Sequence, residues 1–217
     1  MITIDQACEL IKGGEIQKLQ FAINQDTELV RTTTSMGVSL LQFAAYCGSK
    51  EAIAILRPLS EPISYFEAAS IGARDSVEEW LHSEPELLNT PGPDGFTALG
   101  LASFFGHQGI ATLLLEHSAG PNVPAANSIG VYPIHSACAV SNYEIAKLLL
   151  EAGASPNVKQ QRDITPLHSA AHNGQRKLAE LLLSFDADRS AKTTEGQTPA
   201  DMADEAGFEA LAVWLRS

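Results

Sequence analysis

The phrase Tyr132-Pro133-Ile134-His135-Ser136-Ala137-Cys138 returns 33 residues later as Thr165-Pro166-Leu167-His168-Ser169-Ala170-Ala171. Thr198-Pro199-Ala200-Asp201-Met202-Ala203 begins a further 33 residues on, and Thr97-Ala98-Leu99-Gly100-Leu101-Ala102 lies 35 residues before the first copy. A chain with this period does not wrap one central core. It is a row of like units, each burying its apolar face against its neighbours.

Each copy continues in the same way. Gly106 leads to Ile110, Leu113, Leu114 and Leu115, and Gly174 to Leu178, Leu181, Leu182 and Leu183. Ser141 takes the glycine place before Ile145, Leu148, Leu149 and Leu150, and Gly207 precedes Leu211, Trp214 and Leu215. Weaker copies follow Gly14, Gly48 and Gly72. Proline suits the first turn of a helix, where its missing N–H costs nothing, and threonine before it caps that helix. The alanines allow close helix approach. The glycine ends the first helix, and the leucines give a second helix a face to bury. Stretches such as Pro93-Asp94-Gly95 and Glu195-Gly196 read as β-turns or hairpin tips. Seven helix pairs can be counted.

These residues resemble ankyrin repeats, whose pattern runs through Thr-Pro-Leu-His-x-Ala-Ala, a glycine and a Leu-rich second helix. Glu151-Ala152-Gly153-Ala154-Ser155-Pro156-Asn157 matches the closing element, and Ser118-Ala119-Gly120-Pro121-Asn122 is a shifted version. The resemblance is strong over 94–217, moderate over 34–93 and weak over 1–33. It implies an all-α solenoid in one domain, divided 1–33, 34–60, 61–93, 94–126, 127–159, 160–192 and 193–217, with the first and last as caps. The style of Glu84-Pro85-Glu86-Leu87-Leu88-Asn89 leading to Asp94-Gly95-Phe96-Thr97 is similar to stand-alone bacterial ankyrin proteins.

One spacing departs from the pattern. Leu149 to Thr165 and Leu182 to Thr198 are both 16 residues, but Leu56 to Ile63 is only 7. A hairpin's worth of chain is absent between repeats two and three, and Pro58 and Pro62 bracket the link. A simple loop is expected there, leaving a gap in the row of tips: either a tolerated deletion or a notch that admits a partner. Asp163 stands where Gly37, Gly95, Gly130 and Gly196 stand in other repeats, and Asp tolerates the left-handed conformation at modest cost. Gly100, in place of a histidine, predicts a looser helix start. Repeat one lacks the Thr-Pro phrase, as a cap with a polar outer side would.

His168 and His172 lie four apart on one helix face, a spacing that can bind metal. No third ligand accompanies them, and the resemblance makes His135 and His168 structural, so no metal and no cofactor are expected. His172 reads as a contact residue. Cys138 fills a slot usually held by alanine and reads as packing, while Cys47 faces outward with no histidine placed beside it. No nucleophile elbow or phosphate-binding loop appears, and no catalytic residue is assigned. In the resembled family, the residue after the histidine and the two before the glycine point from the first helix into a concave groove. Those slots hold Phe43, Tyr46 and Cys47; Glu67, Ser70 and Ile71; Leu101, Phe104 and Phe105; Ser136, Ala139 and Val140; and Ser169, His172 and Asn173. Three of the chain's 8 phenylalanines fall in this set. They are either anchors for a partner or packing between adjacent repeats.

Composition enters through charge. The net charge of −12 disfavours nucleic acid and anionic lipid, and favours a basic or mixed protein partner through its association rate. Three cysteines fit reduced thiols in the cytoplasm, Asp5 and Glu9 interrupt any signal-peptide run, and no stretch approaches the ~20 apolar residues of a membrane span. The expected function is a monomeric, non-enzymatic protein-binding scaffold acting through the groove and tips. The alternative is a ligand-binding or enzymatic site grafted on the array, and a regulatory or immunity-type subunit would use the same groove.

Overall fold

The computed structural model describes residues 2–217, so residue 1 of the expected 1–33 repeat lies outside it. Among the described residues there are fourteen α-helices in seven consecutive pairs and no strands. The pairs are α1 (Ile4–Lys12) with α2 (Ile16–Gln25), α3 (Leu40–Tyr46) with α4 (Lys50–Leu56), and α5 (Tyr65–Ile71) with α6 (Arg74–Ser83). Then come α7 (Ala98–Phe105) with α8 (Gln108–Glu116), α9 (Pro133–Ala139) with α10 (Tyr143–Glu151), α11 (Pro166–His172) with α12 (Arg176–Ser184), and α13 (Pro199–Glu205) with α14 (Glu209–Arg216). The tips close as turns. Among the described residues only isolated bridges, Thr33 to Ser39 and Gln160 to Ile164, hint at hairpins.

Helices this short do not persist alone in water. Their ends are therefore specified locally. Pro133, Pro166 and Pro199 open α9, α11 and α13. Reciprocal capping boxes join Ser64 to Glu67, Thr165 to His168 and Thr198 to Asp201. The Thr97 hydroxyl accepts from the Gly100 N–H at 3.1 Å, so half of the cap is kept at Gly100, while the reciprocal side-chain bond that a longer residue would add is missing. The capping bond uses only the backbone of that position, which glycine retains.

Close contacts divide the chain into two units, the first running to Leu87 and including Gly92–Asp94, the second comprising Leu88–Pro91 and Gly95–Ser217. In the second unit, α7, α9, α11 and α13 stack side by side on buried Ala102, Ala137, Ala170 and Ala203. Leu114, Leu149 and Leu182 seal the second helices against them. His135 Nε2 donates to the Ile164 carbonyl at 2.9 Å. His168 Nδ1 accepts from Thr165, which leaves Nε2 to donate to the Gln197 carbonyl at 3.1 Å. Each histidine thus ties its helix to the tip of the following repeat. Asn89, Asn122 and Asn157 reach forward in the same way, to the backbone of Gly120, of Gly153 and Ser155, and of Asp186 and Asp188. At the C-terminal end Leu215 is buried, Arg176 lies 4.4 Å over the Trp214 ring, and Arg216 pairs with Asp201 and Asp204.

In the first unit Leu19, Ile23, Leu40, Leu41, Leu56 and Tyr65 form the core. Phe21 stands 68% exposed on α2, so the outer side of repeat one is not wholly polar. Between α4 and α5 the chain makes a single 3-10 turn, Arg57–Leu59, and a short loop, as the missing hairpin predicts. The expected gap in the tip row is bridged, however. Gly92–Asp94 leans back to repeat two: Pro93 packs on Gly37, Gly92 on the Phe66 ring, and the Asp94 carboxylate accepts from Gln42 Nε2 (2.8 Å) and the Tyr46 hydroxyl (2.7 Å). The strap closes over polar groups of α3 that the deletion would otherwise leave uncovered.

Candidate functional site

The first helices carry the expected contact slots, and the structure sorts them by exposure. In the second unit Leu101 and Ser136 are 1% and 2% exposed and offer no surface to a partner. At these two positions the residue after the histidine place turns into the stack, so neither is a contact residue, whereas Ser169 at the same place is only half-buried. Phe104, at 36% exposure, and Val140, at 41%, are the accessible apolar groups. Phe105 is half-buried, edge-on to Phe104 with ring centroids 5.2 Å apart, and lies 6.3 Å from the His107 ring. Ala139 and His172 are exposed, and Ser169 is half-buried. Asn173 is engaged as a strut, its Nδ2 donating to the Cys138 and Ala139 carbonyls at 3.3 and 3.2 Å. Phe104, Ala139, Val140 and His172 thus recur at the C-terminal ends of successive first helices, Val140 as the C-cap residue of α9, with no formally charged side chain among them.

In the first unit Phe43 is half-buried with the Lys12 ammonium 5.7 Å from its ring centre. Tyr46 is held by Asp94, and burial raises its phenol above the ordinary value. Glu67 is half-buried in the α5 capping box, its Oε2 accepting from the Ser64 N–H at 2.7 Å and its Oε1 from the Ser39 hydroxyl. Ser70 is buried, Ile71 is half-buried and Cys47 is exposed. These side chains are mainly occupied in holding the unit together.

The Cys138 thiol is pushed up to about 12 by burial, far from a thiolate nucleophile. Burial pushes His135 down to about 4 and also lowers His168. Among the described residues no three His, Cys, Asp or Glu side chains cluster as a metal site would require, and no helix is long and apolar enough to cross a membrane.

One feature of the first unit was not placed by the repeat spacing: a recess of about 530 Å³ beside the tip of repeat two, between Gly37, Ser39, Glu61, Phe66, Glu67 and Pro93. The shortened link was the signal for it.

Two family models match the chain, one described as ankyrin repeats (3 copies) over residues 65–160 and one as ankyrin repeats (many copies) over residues 151–203. BCL-6 corepressor-like protein 1 of Homo sapiens is 37% identical over 91 residues, 42% of this chain and 5% of that protein. The transient receptor potential channel pyrexia of Drosophila melanogaster is 45% identical over 71 residues, 32% of this chain and 7% of the channel. The chain therefore spans only a small part of the curated relatives it matches.

Proposed function

Because this chain belongs to the ankyrin-repeat family, whose α-solenoids are protein-interaction modules, we propose that it is a non-enzymatic scaffold that binds a partner protein along its first-helix faces. The observation that carries this reading is the partly apolar strip of Phe104, Val140 and His172, which carries no carboxylate or Lys/Arg side chain and recurs at the C-terminal ends of α7, α9 and α11. Such a strip is presented by packed helices, so little conformational entropy is lost when a partner settles on it. An accessible aromatic group beside smaller apolar ones is the composition of an interface anchor. Phe43, Tyr46, Glu67 and Ile71 extend the proposed contact set in the first unit. The free cysteines, Cys8, Cys47 and Cys138, suit a reducing cytoplasmic setting, and a monomer suffices for the role. The reading as a stand-alone bacterial-type array rests on the style of residues 84–97 alone.

The test is affinity capture from the native host followed by titration of the purified partner. Phe104→Ala combined with Phe105→Ala is expected to weaken binding by about 2 kcal/mol or more, roughly thirtyfold, with the helical circular dichroism unchanged. A captured partner that binds the double variant with unaltered affinity removes the assignment.

A further inference from the structure

Consecutive tips of the second unit are joined through their backbones. The Ala126 N–H donates to the Gly95 carbonyl at 2.7 Å, Gln161 to Ile129 at 2.8 Å, and Thr194 to Arg162 at 3.0 Å. Inside two of these tips a side chain three positions before the glycine completes the turn. Asn127 Oδ1 accepts from the N–H groups of Ile129 and Gly130, and Thr193 Oγ1 from those of Glu195 and Gln197.

The repeat-two tip has the same turn, with Gly37 at φ 77° and its N–H donating to the Thr34 carbonyl at 2.8 Å. Two things differ. The tip that would follow it is deleted, and the residue that covers Gly37 in its place is Pro93, which has no N–H to donate. In addition Thr34 Oγ1, equivalent to Thr193 Oγ1, is buried and has no hydrogen-bond partner among the described residues. Buried hydroxyls are ordinarily paired, so the turn of this tip is less fully bonded within itself than those at Asn127 and Thr193, although Thr34 does not itself line the recess.

The recess opens beside that tip, and its volume lies within the ~300–1,000 Å³ of ligand sites. Its charge is set by Glu61, Glu67 and Arg31. Arg31 is already 3.4 Å from Glu28, and Arg57 stands 3.8 Å from Glu61. Glu67 accepts two hydrogen bonds, where a carboxylate offers about four acceptor positions. An anion would meet two carboxylates here, whereas a cationic donor would meet unused acceptor capacity on a half-buried oxygen pair.

We propose that this recess docks a basic turn of a partner protein, whose backbone N–H groups take the place of the deleted tip and whose Arg or Lys side chain pairs with Glu67. The site belongs to the first unit alone, so it stands independently of the Phe104 strip.

The probe is acetyl-Asn-Gly-Arg-amide, a turn-forming sequence with one guanidinium, titrated into the ¹⁵N-labelled full chain; acetyl-Asn-Gly-Glu-amide is the control. Saturable amide shifts are expected at Gly37, Ser39 and Glu67, with the Glu peptide at least about tenfold weaker, a difference of about 1.4 kcal/mol. Glu67→Gln, which keeps an acceptor for the capping box, is expected to weaken the Arg peptide by about tenfold. Glu61→Lys lies outside any helix cap and is expected to weaken it several-fold, which keeps the test decisive if the Glu67 variant does not fold. Equal binding of the two peptides, shifts confined to Phe104–His107, the same shifts with inorganic phosphate, or no saturation by about 20 mM peptide would each overturn the proposal.

Discussion

Gly174 ends α11 at φ 67°, and a Cβ added to it would lie 2.5 Å from the Phe208 ring. Gly130 has nearly the same φ, 64°, but nothing within 4 Å of the added atom. The pair separates two effects. Gly130→Ala is expected to destabilise the chain by about 1 kcal/mol through backbone strain alone, and Gly174→Ala by about 3 kcal/mol because overpacking against the ring is added. Urea midpoints of the two variants check the difference. The buried histidines make a second prediction at this scale. An unfolded His135 ionises near 6.5, but in the fold burial holds it down to about 4. The unfolded chain therefore takes up its proton first as the pH falls. The stability from this group is complete above about pH 6.5 and is lost between about 6.5 and about 4. His168 is shifted in the same direction. Unfolding midpoints are expected to fall across that window, with a shallower fall in His135→Gln.

At the scale of the element, seven- to ten-residue helices depend on their ends and on their neighbours. Thr198 Oγ1 accepts from the Asp201 N–H at 3.3 Å and donates to its carboxylate at 2.7 Å. Thr198→Ala is expected to cost about 1 kcal/mol, with Thr198→Ser retaining most of it, as thermal unfolding would show. Such ends are readable in a sequence because their partners lie three residues away. The Thr-Pro-x-His phrase, the Leu triplets and the shortened link all belong to this local class, and the helix pairs follow from them. Burial of Leu101 and Ser136 was not readable in that way, because it depends on how each first helix is rotated within the stack. Nor was the strap, in which Pro93 meets Gly37 and Asp94 meets Tyr46 across some fifty residues of chain. The sequence alone leaves Phe104 and Phe105 open between anchor and packing. The structure splits the pair, leaving Phe104 accessible and Phe105 half-buried.

For the whole molecule the net charge of −12 acts at a distance, whereas the contact surface proposed at Phe104 would act only at short range. A basic partner of this chain is expected to associate more slowly as salt rises from about 50 to about 500 mM, while its dissociation changes little, because screening shortens the range of steering. Stopped-flow association rates measure this directly. The Asn side chains that link one repeat to the next carry a further consequence. Asn89, Asn122 and Asn157 each grip backbone 29 to 33 residues ahead of themselves. Each is a ruler as well as a clasp. The ruler has some give: Asn157 meets the Asp186 carbonyl 29 residues on and Asn122 the Gly153 carbonyl 31 residues on, so the tip after Asn122 holds two more residues while the clasp stays closed. In this part of the chain a tip can thus lengthen by a residue or two while the helix pairs stay in register, and no Asn clasp of this kind spans residues 57–64 among the described residues, where most of a tip is missing.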